Sequence, residues 1–190
     1  AYVENFREVR LQVYKIVNKK LLNEAVVLVE VEAPFIAKKV LPGQFIIFRI
    51  DEQGERVPLT VADYDREKGT ITLIVQMVGR STKMLGAMEA GEYLLDVVGP
   101  LGIPTHLDGL KNVCVIGGGV GCAIAYPQAK ALHAMGAHVD MIAGFRSKDI
   151  VIIEDEMRAV ADNLYVMTDD GTYGEKGLVT NKLQQLIDEG

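Results

Sequence analysis

The residues best suited to chemistry in this chain are glycines. Gly117-Gly118-Gly119-Val120-Gly121 follows an almost wholly apolar run, Val113 to Ile116, and precedes a segment of helical character, Cys122 to Met135. A glycine-rich turn between a buried strand and a helix lets backbone approach phosphate oxygens closely. The helix start adds free N–H groups and a partial positive charge. That combination suits a dinucleotide, and a tight strand-to-helix turn without a ligand is the competing reading. The spacing meets G-x-G-x-x-G only in part, because Cys122 stands where the last glycine belongs. The next apolar strand, Val139 to Ala143, ends in Gly144-Phe145-Arg146-Ser147-Lys148 rather than in an acid. A basic end leans toward a 2′-phosphate, hence NADP, and a solvated loop is again the alternative.

Other reactive side chains form no convincing constellation. His106, His133 and His138 have no nucleophile placed to pair with them, and Glu154-Asp155-Glu156 reads as a solvated helix start. Cys114 and Cys122 read as small core-filling residues, since two thiols alone complete no four-ligand metal site. The net charge of −6, with no basic stripe, argues against a nucleic-acid partner. No apolar run reaches membrane-spanning length, and AYVENFREVR lacks a signal peptide's hydrophobic stretch, so the cytoplasm is expected.

Two grammars position these residues. Up to about residue 102 the apolar residues alternate: Val9, Leu11, Val13; then Val27, Val29, Val31; then Ile71, Leu73, Val75, Met77. Turn residues at Pro42-Gly43, Gln53-Gly54 and Asp65 to Gly69 separate them, which predicts an antiparallel barrel or sandwich over 1–102. One helix, Ser81 to Met88, interrupts it, with Ser81 or Thr82 capping its first turn. Over 103–190 strands and helices alternate, which predicts a parallel α/β sheet. Helices are expected at Cys122–Met135, Ile150–Ala161 and Leu178–Ile187, and a third strand at Leu164–Met167, with glycine after two of the helices. Pro127 predicts a kink, or a helix whose regular part begins later.

The order of these motifs resembles the ferredoxin-NADP reductase superfamily. Pro42-Gly43-Gln44-Phe45 is similar to an element of its flavin barrel, and Arg56-Val57-Pro58-Leu59-Thr60 to its flavin-binding strand. Ile74-Val75-Gln76 with Gly79-Arg80-Ser81-Thr82 resembles its second flavin element, and Val98-Gly99-Pro100-Leu101-Gly102 its domain junction. Gly117 to Gly121, Gly144-Phe145-Arg146-Ser147 and Asp169-Asp170-Gly171-Thr172 resemble the nucleotide half. Within the superfamily the likeness is to the small flavin subunit of NADH-dependent ferredoxin:NADP oxidoreductase and to electron-transfer subunits of dihydroorotate dehydrogenase B.

The resemblance implies FAD and a nicotinamide nucleotide, NAD or NADP, with NAD favoured because the resembling subunits mostly use it. Thr60 would place its hydroxyl near flavin N5, and Pro58 and Leu59 would pack on the isoalloxazine. Ile74, Val75 and Gln76 would present strand backbone. Gly79, Ser81 and Thr82, at a helix start, would hold the pyrophosphate, with Arg56 as a ligand or Arg80 in its stead. Arg56 stands one residue before the position where relatives carry their arginine, and one residue turns a strand side chain to the other face. Gly117, Gly118, Gly119, Gly121, Arg146, Ser147, Asp170, Gly171 and Thr172 would hold the nucleotide.

Relatives continue with further strands and a cysteine cluster for a [2Fe–2S] centre, so the resemblance implies an incomplete α/β unit whose first strand lies open. It also implies a larger oxidoreductase subunit and ferredoxin, or a similar carrier, as partners. A free-standing flavodoxin or ferredoxin reductase, a non-catalytic nucleotide sensor, and a dehydrogenase with an N-terminal β domain are the alternatives. For the last, no catalytic Tyr–Lys or His–Asp pair can be placed.

Overall fold

Alternating apolar side chains make strands here because each needs only one buried face. The computed structural model describes residues 14–189, so the alternation at Val9, Leu11 and Val13, and the terminal Gly190, lie outside the described residues. The chain divides into two units, one ending at Thr105 and the other beginning at His106.

The first unit contains β1 (Ile16–Asn23), β2 (Val26–Glu32), α1 (Pro34–Ala37), β3 (Phe45–Arg49), β4 (Val57–Thr60), β5 (Asp63–Asp65), β6 (Thr70–Gln76), α2 (Arg80–Ala87) and β7 (Asp96–Leu101). They form two antiparallel sheets, in the orders β1-β2-β6-β5 and β4-β3-β7. The inward faces share one core, in which Ile16, Val27, Val29, Val31, Phe48 and Leu73 are fully buried. Each fully buried side chain of this size contributes about 1.5–3 kcal/mol. The alternation at Val27, Val29 and Val31 and at Ile71, Leu73 and Val75 thus reports the core face directly.

The second unit contains β8 (Asn112–Gly118), a 3-10 turn at Gly119–Gly121, α3 (Cys122–Ala134) and β9 (His138–Phe145). A second 3-10 turn (Lys148–Ile150), α4 (Glu154–Arg158), β10 (Asn163–Thr168), β11 (Glu175–Lys176) and α5 (Val179–Glu189) follow. All pairings are parallel, in the order β11-β10-β9-β8. The expected open strand is β8, whose one partner among the described residues is β9. Gly136, at φ 81, ends α3 as expected.

Three expectations need correction. The helix expected over Ile150–Ala161 shrinks to Glu154–Arg158, because Ile153 takes a left-handed conformation (φ 47) and breaks the run. Ile152, Ile153 and Met157 are all buried, so packing overrides helical propensity there. A short fourth strand, β11, extends the expected three-stranded sheet and is held by the buried Lys182 of α5, whose ammonium lies 2.9 Å from Glu175 and 4.4 Å from the centre of the Tyr165 ring. Finally, α3 begins at Cys122 and continues through Pro127 as one helix rather than starting later.

Candidate functional site

In the first unit the feature of interest is an unfinished ladder. β4 is an edge strand, bonded among the described residues to β3 alone. β6 bonds along its length to β2, but β5 covers its other side only from Thr70 to Thr72. Ala62 N–H donates to Thr72 C=O at 2.9 Å, so the backbone groups of Thr72, and two residues on those of Ile74, point away from β2. Beyond Thr72 no strand pairs with them among the described residues. β4 lies next to β6 without joining it in a sheet. Edge strand and bare ladder together offer N–H and C=O groups of the kind a flat heteroaromatic ring can bond, so this wall fits a flavin.

The side chains of β4 divide by strand alternation. Val57 and Leu59 stand opposite Phe48 and Ile46 and pack on the core. Pro58 and Thr60 stand opposite Ile47 and Phe45 on the other face, where Pro58 is exposed and Thr60 half-buried. The expectation that Pro58 and Leu59 share one ring contact therefore meets opposite faces. Arg56 is exposed and forms an ion pair with Asp96 of β7 at 3.1 Å.

Ile74 and Val75 are buried and Gln76 exposed. At the start of α2, the Gly79 N–H donates to Thr82 Oγ1 at 2.9 Å, and that hydroxyl donates back to the Gly79 carbonyl at 3.1 Å. Thr82 thus closes the first turn itself. Ser81 is buried and its hydroxyl lies 3.4 Å from Glu55, one residue before Arg56, so α2 starts beside the segment that leads into β4.

In the second unit the expected residues gather at one edge. β8, β9 and β10 run parallel, and the loops that follow them, at Gly117–Gly121, Arg146–Ser147 and Asp170–Thr172, all leave the carboxyl end of the sheet. This edge is where open α/β sheets bind ligands. The loops are tied together: Asp170 N–H donates to the Arg146 carbonyl at 3.2 Å, and Lys148 N–H to Thr172 Oγ1 at 3.0 Å. Asp170 accepts both the backbone N–H and the hydroxyl of Thr172, which holds its carboxyl below the usual carboxylate range.

The glycine loop shows why its spacing departs from the common motif. A Cβ on Gly117 would lie 2.8 Å from Cys122 Cα and 3.0 Å from its sulfur. The close approach of strand to helix, which the third glycine of the motif usually permits, is achieved here by removing the side chain on the strand side. Cys122 then fills the joint, and burial pushes its thiol up to about 12. Above the joint the backbone is bare, for a Cβ on Gly119 (φ 52) or Gly121 would meet nothing within 4 Å. Gly118 is exposed, and a Cβ there would come no closer than 3.9 Å to the Gly144 carbonyl. Three open glycines at the entry to a thirteen-residue helix fit a phosphate-bearing nucleotide.

Tyr173 was missing from the sequence expectations. Its hydroxyl donates to Glu154 at 3.1 Å, an acceptor that holds the phenol above its usual range, and its ring carries the Lys148 ammonium 5.3 Å from its centre. Its place directly after Thr172 was the available signal. His138 lies between Asp140 (3.4 Å) and Asp162 (3.6 Å) at the opposite, amino end of the sheet, away from these loops. Among the described residues no group of His, Cys, Asp and Glu could hold a metal ion, and no helix is long and apolar enough to cross a membrane.

Comparison with known proteins gives these features a context. No family model matches the chain. It is 49% identical over 181 residues to an uncharacterised protein of Clostridium beijerinckii, covering 92% of this chain and 61% of that one. It is 43% identical over 175 residues to a homologue of the dihydroorotate dehydrogenase B (NAD(+)) electron transfer subunit from Thermotoga maritima, covering 92% and 62%. A solved structure of the NADH-dependent reduced ferredoxin-NADP oxidoreductase, studied for flavin-based electron bifurcation, superposes with a TM-score of 0.88 at 41% identity, over 94% of this chain and 64% of that one. The chain thus spans about three-fifths of the length of these relatives. By sequence the chain is similar to these electron-transfer proteins, and its fold is ferredoxin reductase-like.

Proposed function

We propose that the chain is the flavin- and nucleotide-binding part of an electron-transfer subunit, carrying electrons from a nicotinamide nucleotide through FAD to a partner. The observation that carries this reading is the bare ladder of β6 beside the edge strand β4, in a fold whose other unit gathers its loops at the carboxyl edge of a parallel sheet. Residues 1–102 are assigned to FAD and 103–190 to the nucleotide.

FAD, when bound, takes up a hydride equivalent and can release electrons singly. The chain's own residues bind, orient and exclude water. The backbone of Ile74 to Gln76 would support the ring and ribityl chain, and β4 would lie along the ring with Pro58 and Thr60 on its outer face, Leu59 anchoring the strand to the core from behind and Arg56 at its start. The Thr60 hydroxyl serves as a hydrogen-bonding group near N5 and is the residue assigned a catalytic role. Gly79 with Ser81 and Thr82 takes the pyrophosphate through the open N–H groups of α2. The open glycines, Gly117 with Gly118, Gly119 and Gly121, take the nucleotide phosphates, and Arg146, Ser147, Asp170, Gly171 and Thr172 take the ribose side.

The preferred nucleotide is NAD. The relatives' names support it. The partner is a larger oxidoreductase subunit in a heteromeric cytoplasmic complex, with an iron–sulfur centre or ferredoxin receiving single electrons. Stopped-flow reduction of bound flavin by NADH and by NADPH, measured separately, tests the reading. Bleaching that is faster with NADH supports it. Protein that takes up no FAD defeats it.

A further inference from the structure

Ile153 is the one non-glycine residue at positive φ among the described residues, and it is branched at Cβ and buried. A backbone held in that region by its surroundings points to a geometry that something else requires. What this turn sets is the carboxylate of the next residue. Glu154 Oε1 accepts the Tyr173 hydroxyl at 3.1 Å and Arg158 Nη2 at 2.7 Å, so its charge is countered and its direction fixed.

Tyr173 is fastened twice more. Its N–H donates to Thr168 Oγ1 at 3.2 Å, and its carbonyl accepts from that same, fully buried hydroxyl at 2.5 Å. Its ring then bears the Lys148 ammonium, while the Lys148 N–H donates to the hydroxyl of Thr172. Two loops from different strands are thereby joined through one tyrosine.

We propose that Tyr173, held by Glu154, is the positioning residue of the adenosine half of the nucleotide site, fixing Thr172 and Lys148 as one preformed rim for a ribose and its phosphate. This rests on the nucleotide reading above. A lysine and a threonine on separate loops would each lose conformational freedom on binding, and fixing them beforehand removes that cost. With Glu154 answered by Arg158, the rim presents the ammonium of Lys148 to an incoming anion. With its phenol held protonated, Tyr173 stays a donor to Glu154 through the neutral pH range.

The test titrates the full-length protein with NAD⁺ and with AMP by calorimetry, and compares Tyr173→Phe, Glu154→Ala, Glu154→Gln and the double variant Y173F/E154A. Tyr173→Phe and Glu154→Ala each weaken both nucleotides about three- to tenfold, the scale of one lost hydrogen bond to a charged group. The double variant falls no further than either single, since the two residues act as a unit. Glu154→Gln stays within about twofold of the parent, because its amide oxygen still accepts the phenol. In flavin reduction the NADH concentration for half-maximal rate rises while the limiting rate holds, a split that general loosening of the fold would not give. Parent-like binding by Tyr173→Phe, or losses that add in the double variant, overturns the proposal. A parent protein that binds neither nucleotide overturns the nucleotide reading itself, and this inference with it. Should Glu154→Ala fold poorly, Tyr173→Phe and Glu154→Gln carry the same comparison.

Discussion

In the unit that ends at Thr105 the polar groups on offer belong to strands; in the unit that begins at His106 they belong to loops. The first leaves part of the β6 ladder unpaired beside an edge strand, so its binding groups are as rigid as the sheet itself. The second pairs β8 with β9 as far as Gly118 and β9 with β10 as far as Phe145, and its expected binding residues come at the ends of these strands and in the loops beyond. A strand wall holds one flat ligand in one orientation and suits a resident cofactor. A rim of loops can open, and suits a nucleotide that must arrive and leave. The difference teaches that tight holding and exchange can be built from the same two materials, main-chain amides and small residues.

The comparison is broken most severely at Gly117. Gly117→Ala sets a Cβ 2.8 Å from the Cys122 backbone, so about 3 kcal/mol of stability is lost, seen as a lower thermal midpoint for the second unit alone. A shared loss of flavin would refute the independence of the two walls. Next comes Thr60→Val, which keeps the shape of β4 and removes one hydroxyl. Flavin stays bound and its reduction by NADH slows about tenfold, measured by stopped flow.

Gly121→Ala sharpens the contrast within a single loop. With φ −62 and no atom within 4 Å of the added methyl, stability stays within about 0.5 kcal/mol, while calorimetry shows NAD⁺ affinity several-fold weaker. The thiols give a pH signature. Cys122, pushed up to about 12 by burial, resists a thiol reagent at pH 8 until the chain unfolds, whereas the exposed Cys114 reacts first. The unfolded chain ionises Cys122 near the ordinary value of 9.0 and the folded one only near 12, so stability contributed below pH 9 declines as the pH rises between them. Smallest is Arg56→Ala, which removes a pair between an exposed arginine and a half-buried aspartate and costs under about 1 kcal/mol in a denaturant titration.

Much of this was legible from neighbouring residues. Alternation marked β2 and β6 because each buries a continuous face, and the glycine run marked the β8–α3 turn because only small residues permit that approach. What escaped depends on partners distant in sequence. Ile153 breaks an otherwise helical stretch to meet the core, and no local pattern announces it. Tyr173 finds Glu154 nineteen positions away, across the sheet edge. The two faces of β4 follow from its register with β3, so treating Pro58 and Leu59 as one contact overlooked the strand's own period. The pairing of Arg56 with Asp96 was equally hidden, because that partner arrives only with β7, forty residues later.

The fit of Gly117 against Cys122 also bears on how such a loop can be found by its sequence. The joint between β8 and α3 holds one side chain, and the helix carries it. A side chain at 117 would crowd the Cys122 main chain itself, 2.8 Å from its Cα and 3.1 Å from its nitrogen, so emptying position 122 makes no room for it. Glycine at 117 is thus demanded by the helix backbone, and a search keyed to the usual third glycine would pass such a chain by.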